Sequence, residues 1–220
     1  MICPSILSAD FSQLKEILPR MEQCGIQVVH FDVMDNHFVP NLTFGPKFIA
    51  DLRRYSKMTF DVHLMISQPE KTLDQYLDAG ADYLTVHYEA TSLFELKNMS
   101  QKVRSAGKKF GVSIKPKTPV SVYEDILELM DLALIMSVEP GFGGQKLIGE
   151  CLDKVDKLKA LTSEKKQTVL VQVDGGINLE TLPEAVRAGT DWFVMGSAFF
   201  KEADYTFFPK KLEEIKNHVR

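Results

Sequence analysis

Apolar residues along this chain alternate between two rhythms. Short runs rich in β-branched and aromatic residues predict strands at residues 2–7, 28–34, 60–66, 83–88, 110–114, 132–138, 169–173 and 192–195. Between them, apolar positions recur at helical spacing, as in Phe11-Ser-Gln-Leu-Lys-Glu-Ile-Leu18. Gly25, Gly80, Gly107 and Gly189 each follow a helical run and precede a strand, the place of a helix C-terminal glycine. Ser121 is predicted to start a fifth helix, residues 179–188 to form the seventh, and residues 208–219 to close the chain. Strand and helix alternate with no linker or low-complexity segment. The pattern predicts one α/β domain over residues 1–220, a parallel eight-stranded (β/α)8 TIM barrel. An open doubly wound sheet is the alternative; eight units with no inserted domain suit closure better.

Chemistry in such a barrel belongs at the carboxyl ends of the strands, and the unusual polar residues fall there. In His30-Phe-Asp32-Val-Met34-Asp35, alternation puts His30 and Asp32 on one face of an apolar strand. His63 and Asp174 end two further apolar runs. Buried ionisable groups need partners. Two imidazoles and two carboxylates at one barrel mouth can hold a divalent metal and still move protons, which points to an enzyme. Ser5, His87, Lys115 and the loop Pro140-Gly-Phe-Gly-Gly-Gln145 also lie at strand ends. Asp61 is expected to turn away from His63 and face a helix or a neighbouring polar group. Asp35 is expected to order its loop rather than bind metal. His87 is expected either to contact substrate or to make structural hydrogen bonds, and His218 to lie on the surface.

Composition narrows the class. Apolar residues make up 45% and charged residues 25%, which excludes disorder, and the net charge of −4 gives no electrostatic case for nucleic acid or an anionic membrane. Cys3, Cys24 and Cys151 lack CxxC spacing and are expected to be reduced thiols. No leader or membrane-spanning run is expected, and the expected compartment is the cytoplasm.

The chain resembles the ribulose-phosphate 3-epimerase family over nearly its whole length. The blocks that carry this are Pro4-Ser-Ile-Leu-Ser-Ala-Asp10, His30-Phe-Asp-Val-Met-Asp-Asn-His-Phe-Val-Pro-Asn41, Asp61-Val-His-Leu-Met65, Val138-Glu-Pro-Gly-Phe-Gly-Gly-Gln145, Val173-Asp-Gly-Gly-Ile177 and Gly196-Ser197. The second and fourth are highly specific; the last two recur in many phosphate-binding barrels. The resemblance implies a ribulose-phosphate-binding type of barrel. It implies one divalent metal on His30, Asp32, His63 and Asp174, with Asp32 and Asp174 as the proton-transfer pair. Zinc, iron, manganese and cobalt all suit that donor set.

The implied reaction is 3-epimerisation of D-ribulose 5-phosphate to D-xylulose 5-phosphate through an enediolate, in the pentose phosphate pathway. The same chemistry on allulose 6-phosphate, or a non-catalytic sugar-phosphate-binding barrel, are the alternatives. Gly175, Gly176, Gly196 and Ser197 would take the phosphate. Gly141, Phe142, Gly143 and Gly144 would cover the substrate, Ser5 and His63 would touch the sugar, and Met34, Met65 and Met136 would wall the reacting carbon. The implied partner is a small-molecule sugar phosphate, and the implied assembly a homo-oligomer. Two positions depart from the family pattern. Asn36 stands where glycine is common, the least costly replacement if φ is positive, and Leu147 stands where an aromatic residue is common.

Overall fold

The computed structural model describes residues 1–219. Its eight strands are β1 (Ile2–Pro4), β2 (Val28–Met34), β3 (Thr59–Met65), β4 (Tyr83–His87), β5 (Lys109–Ile114), β6 (Leu132–Met136), β7 (Leu170–Asp174) and β8 (Trp192–Met195). All pair in parallel, in the order β1-β8-β7-β6-β5-β4-β3-β2. A single parallel bridge from Ser5 to His30 brings the two ends of that order together. The result is a nearly closed (β/α)8 barrel.

Around it lie α1 (Leu14–Gln23), α2 (Pro46–Arg53), α3 (Leu73–Asp78), α4 (Leu93–Ser105), α5 (Leu152–Glu164), α6 (Leu182–Arg187), α7 (Ser197–Phe200) and α8 (Phe207–Val219). Local chemistry sets their limits. Ser92 Oγ accepts the Glu95 N–H, 3.2 Å away, and starts α4, whose Leu96, Met99 and Val103 form the buried stripe. The four predicted glycines end their helices; Gly80, at φ +94°, donates to Leu77 O while Ala81 donates to Tyr76 O.

Strand alternation divides the core. Val29, Phe31, Val33, Phe60, Val62 and Leu64 point outward against the helices and are fully or almost fully buried. Inside the barrel, Cys3, Val28, Leu132, Leu134, Trp192 and Val194 make an apolar sector. His30, Asp61, His63, Thr85, His87, Ser113 and Gln172, all without solvent exposure, make a polar one. At the amino ends, Asp82, Asp131 and Asp191 accept backbone N–H groups of Phe60, Phe110 and Val171 on the preceding strands, at 2.9, 3.0 and 2.8 Å. Each fixes the start of one strand against its neighbour.

Three expectations are corrected. The fifth helix is absent: after β5 the chain makes two 3-10 turns, Val120–Tyr123 and Leu127–Leu129. Pro119, Val120 and Val122 are poor helix formers, and Tyr123 is drawn fully inside, its hydroxyl within 3.0 Å of the Val112 carbonyl and 2.9 Å of the Leu134 carbonyl. The first strand ends at Pro4, because Ser5 caps a 3-10 turn over Ile6–Ser8. Asp61 does not turn away from His63. Residues two apart on a strand share a face, and both project into the barrel.

Candidate active site

A cavity of ≈ 290 Å³ opens at the carboxyl ends of the strands. Ser5, Asp32, Asp174 and the three methionines Met34, Met65 and Met136 line its inner part. Gly175, Gly176, Gly196, Ser197 and the loop Gly141, Phe142, Gly143 and Gly144 line its outer part. His30 and His63 are fully buried and lie behind the residues that line the cavity.

Strand register assembles the polar cluster. Asp32 sits opposite His63 and His30 opposite Asp61 across β2 and β3, while Asp174 ends β7 beside Met136 and Val194. His30 Nε2 lies 3.4 Å from Asp32 Oδ1 and 4.0 Å from Asp174 Oδ2. His63 Nδ1 lies 3.6 and 3.9 Å from the same two oxygens. All four atoms fall within 4.8 Å of one another.

Among the described residues the two nitrogens, although buried, have no hydrogen-bond partner. Two such orphaned atoms aimed at two carboxylate oxygens are costly unless something else fills the gap. Ligand atoms about 2.1 Å from a tetrahedral ion stand about 3.4 Å apart, so the donor set and its spacing fit a divalent metal. His30, Asp32, His63 and Asp174 can therefore hold a metal ion.

The remaining side-chain polar atoms of His30, His63 and Asp32 are occupied. His30 Nδ1 faces Asp61 Oδ2 at 2.7 Å, and Gln172 Nε2 donates to the same oxygen at 2.6 Å. His63 Nε2 faces His87 Nε2 at 2.9 Å, and His87 Nδ1 faces Glu89 Oε2 at 3.2 Å. The Ser5 hydroxyl donates to Asp32 Oδ2, leaving Oδ1 toward the imidazoles.

The two carboxyl groups differ electrostatically. Burial pushes Asp174 up to about 7, helped by the Asp32 charge and opposed by His30. Burial acts on Asp32 in the same sense, but His30 and His63 outweigh it and hold Asp32 well below the usual carboxylate range. Burial opposes charge on His30, and Asp61 and Asp32 override it, so its pKa lies well above the ordinary value. Burial lowers His63, and it lowers His87 to about 4.

Around this centre the loops are tied together. Asp35 Oδ1 accepts the His37 and Phe38 N–H groups at 2.9 Å, and Oδ2 accepts that of Ser67 at 2.8 Å. It ties the loops after β2 and β3 to each other. Asn36 has φ +58°, the left-handed conformation that explains glycine or asparagine there. Asn41 Nδ2 donates to Gly141 O at 2.7 Å, joining the β2 loop to the glycine loop. Lys115 Nζ rests 3.8 Å from the centroid of the Phe38 ring and His87 is buried behind it; neither lines the cavity. His218 is exposed.

Several cavity residues were not singled out from the sequence. Ser8 lies so close to Gly196 that a Cβ there would sit 2.6 Å from Ser8 Oγ. Lys201 follows Gly196-Ser197 by one helical turn and lines the outer cavity with Asn178. Glu89 was also missed, because its partners His87 and Thr118 come from different loops.

Fold and site together define a (β/α)8-barrel enzyme with a buried His/Asp group at the mouth. The model of the ribulose-phosphate 3 epimerase family matches residues 1–200. Ribulose-phosphate 3-epimerase of Treponema pallidum is 46% identical over 199 residues, covering 90% of each chain. That of Bacillus subtilis is 43% identical over 216 residues, covering 98% of this chain and 97% of its own. The chain belongs to the ribulose-phosphate 3-epimerase family and is an isomerase of the epimerase kind.

Solved structures show the same fold at much lower identity. A 3-keto-L-gulonate-6-phosphate decarboxylase from Vibrio cholerae superposes with TM-score 0.72 at 16% identity, covering 100% of this chain and 98% of its own. A 3-hexulose-6-phosphate synthase from Salmonella typhimurium gives 0.68 at 19%, covering 100% and 99%. Among the described residues no helix is long and apolar enough to cross a membrane.

Proposed function

We propose that the chain interconverts D-ribulose 5-phosphate and D-xylulose 5-phosphate, as a metal-dependent step of the pentose phosphate pathway in the cytoplasm. The observation that carries this reading is the pair Asp32 and Asp174, set at one cavity with opposite pKa shifts beside two unpartnered imidazole nitrogens. Epimerisation at carbon 3 removes a proton beside the carbon-2 carbonyl and returns one from the other side. That calls for one ionised and one protonated carboxyl group at the same moment. Asp32, held ionised, is ready to accept a proton; Asp174, half-protonated near neutrality, is ready to supply one. The reverse direction exchanges their roles.

His30, Asp32, His63 and Asp174 hold the divalent ion, be it zinc, iron, manganese or cobalt. When bound, it supplies Lewis-acid stabilisation for the enediolate charge. Ser5 keeps Asp32 oriented through its Oδ2. Met34, Met65 and Met136 give the reacting carbons an apolar wall that excludes water. The amides of Gly175, Gly176, Gly196 and Ser197, with the Lys201 ammonium, suit the phosphate at the outer end. The loop Gly141, Phe142, Gly143 and Gly144 covers it. Gln145 Nε2 clasps that loop by donating to Glu139 O at 2.7 Å and Phe142 O at 2.8 Å.

The test is incubation of metal-loaded protein with ribulose 5-phosphate in D₂O, followed by NMR. Xylulose 5-phosphate carrying deuterium at carbon 3, formed only without a chelator, is the expected product. No exchange from a folded, metal-loaded sample would overturn the assigned substrate.

A further inference from the structure

We propose that Glu89 and His87 are positioning residues that set the tautomer of His63 and so make its Nδ1 a metal ligand; this rests on the metal reading above. The argument is a count of protons along a buried line. Glu89 Oε1 accepts the Lys115 N–H at 2.7 Å and the Thr118 hydroxyl. Its Oε2 faces His87 Nδ1 at 3.2 Å. A carboxylate can only accept, so His87 Nδ1 carries hydrogen. The neutral ring then has a lone pair at Nε2, which faces His63 Nε2 at 2.9 Å. His63 must donate there, and its own lone pair is left at Nδ1. That is the buried atom without a hydrogen-bond partner, 3.6 Å from Asp32 Oδ1.

The line starts from a fixed point. Lys154 Nζ, on α5, donates to the carbonyls of Pro116 and Thr118, both at 2.7 Å, which holds the loop that anchors Glu89 Oε1. His30 is oriented by a carboxylate in direct contact, Asp61. His63 is oriented by a carboxylate one imidazole further away. The second arrangement places the controlling charge outside the barrel mouth, at a residue that touches neither the ion nor the cavity.

Glu89→Gln separates this role from mere packing. The variant keeps the shape but has one acceptor and one donor. Two donors, Lys115 N–H and Thr118 Oγ, claim its carbonyl oxygen, so its amide NH₂ faces His87 Nδ1. His87 then moves its hydrogen to Nε2, His63 must accept at Nε2, and hydrogen occupies His63 Nδ1, where the ion binds. Glu89→Ala removes the acceptor without installing a donor and is the milder change.

The experiment is ¹⁵N NMR of the histidine rings in metal-free protein, with Zn²⁺ and Co²⁺ affinity measured by chelator competition. Wild type is expected to carry hydrogen at His63 Nε2. Glu89→Gln is expected to carry it at Nδ1 and to bind metal about 10- to 100-fold more weakly, with Glu89→Ala between the two. Hydrogen at Nδ1 in wild type overturns the proposal, as does an unchanged tautomer and affinity in Glu89→Gln. A wild type that binds neither ion instead overturns the metal reading on which the proposal stands, and the ring tautomers tell the two failures apart.

Discussion

His30 Nδ1 and Asp61 Oδ2 stand 2.7 Å apart with neither side chain open to solvent. The imidazole can release its opposite nitrogen to the site only while Asp61 holds this one. Asp61→Ala leaves a buried N–H and the Gln172 amide without their acceptor. It is expected to destabilise the metal-free protein by about 3–5 kcal/mol and Asp61→Asn by less, read from urea unfolding midpoints.

Asp32 and Asp174 face one cavity with unlike affinities for a proton. Asp32→Asn and Asp174→Asn are each expected to lower kcat by about 10²–10⁴-fold or more. Near-wild-type turnover in either variant would remove that residue from the proton-transfer pair. Solvent deuterium entering the substrate without epimerisation is the accompanying mark of a one-sided site.

Protons compete with the ion. Asp174, raised to about 7, and His30, held above its ordinary value, are both protonated in acidic metal-free protein. The imidazolium of His30 must lose a proton before its free nitrogen can ligate, and a proton on Asp174 removes the charge that would draw the ion, so metal affinity falls as pH falls. Below pH 7 the loss should be at least about tenfold per pH unit, measured by competition with a pH-corrected chelator. A flat profile between pH 5.5 and 7 would place the ion elsewhere.

Gly176 and Gly196 answer to different neighbours. A Cβ on Gly176, at φ +68°, would lie 2.3 Å from the Leu147 backbone nitrogen, which cannot move aside cheaply. On Gly196 it meets the Ser8 side chain, with Oγ at 2.6 Å and Cβ at 3.5 Å. Gly176→Ala is expected to cost about 1–3 kcal/mol of stability. Gly196→Ala should mainly raise KM, and so should Lys201→Met, with kcat kept in both. Thermal unfolding and steady-state kinetics on the three variants decide this.

The strands were legible because Val28-Val-His-Phe-Asp-Val-Met34 and its counterparts are too apolar and too short for anything but buried parallel strands. The metal group followed, since period-two alternation puts His30 beside Asp32. The same alternation, correctly counted, places Asp61 with His63; only the register of β2 against β3 then shows that its partner is His30. The stretch from Ser121 keeps apolar residues at helical spacing, yet Tyr123 is pulled between two strands and only 3-10 turns form. Glu89 carried no periodic signal. Its meaning comes from the Lys115 and Thr118 donors, 26 and 29 residues further along the chain.

The barrel wall is laced by ladders everywhere except between β1 and β2, where one bridge at Ser5 and His30 does the joining. The Ser5 hydroxyl crosses that slit to Asp32. Asp174 on β7 and His30 and Asp32 on β2 stand on either side of the arc that contains it. An occupant gripping all three works as a hoop drawn round the loosest stave. Loading the site should therefore slow amide hydrogen exchange most in β1 and the start of β2, far more than in the strands that already share a ladder on both edges.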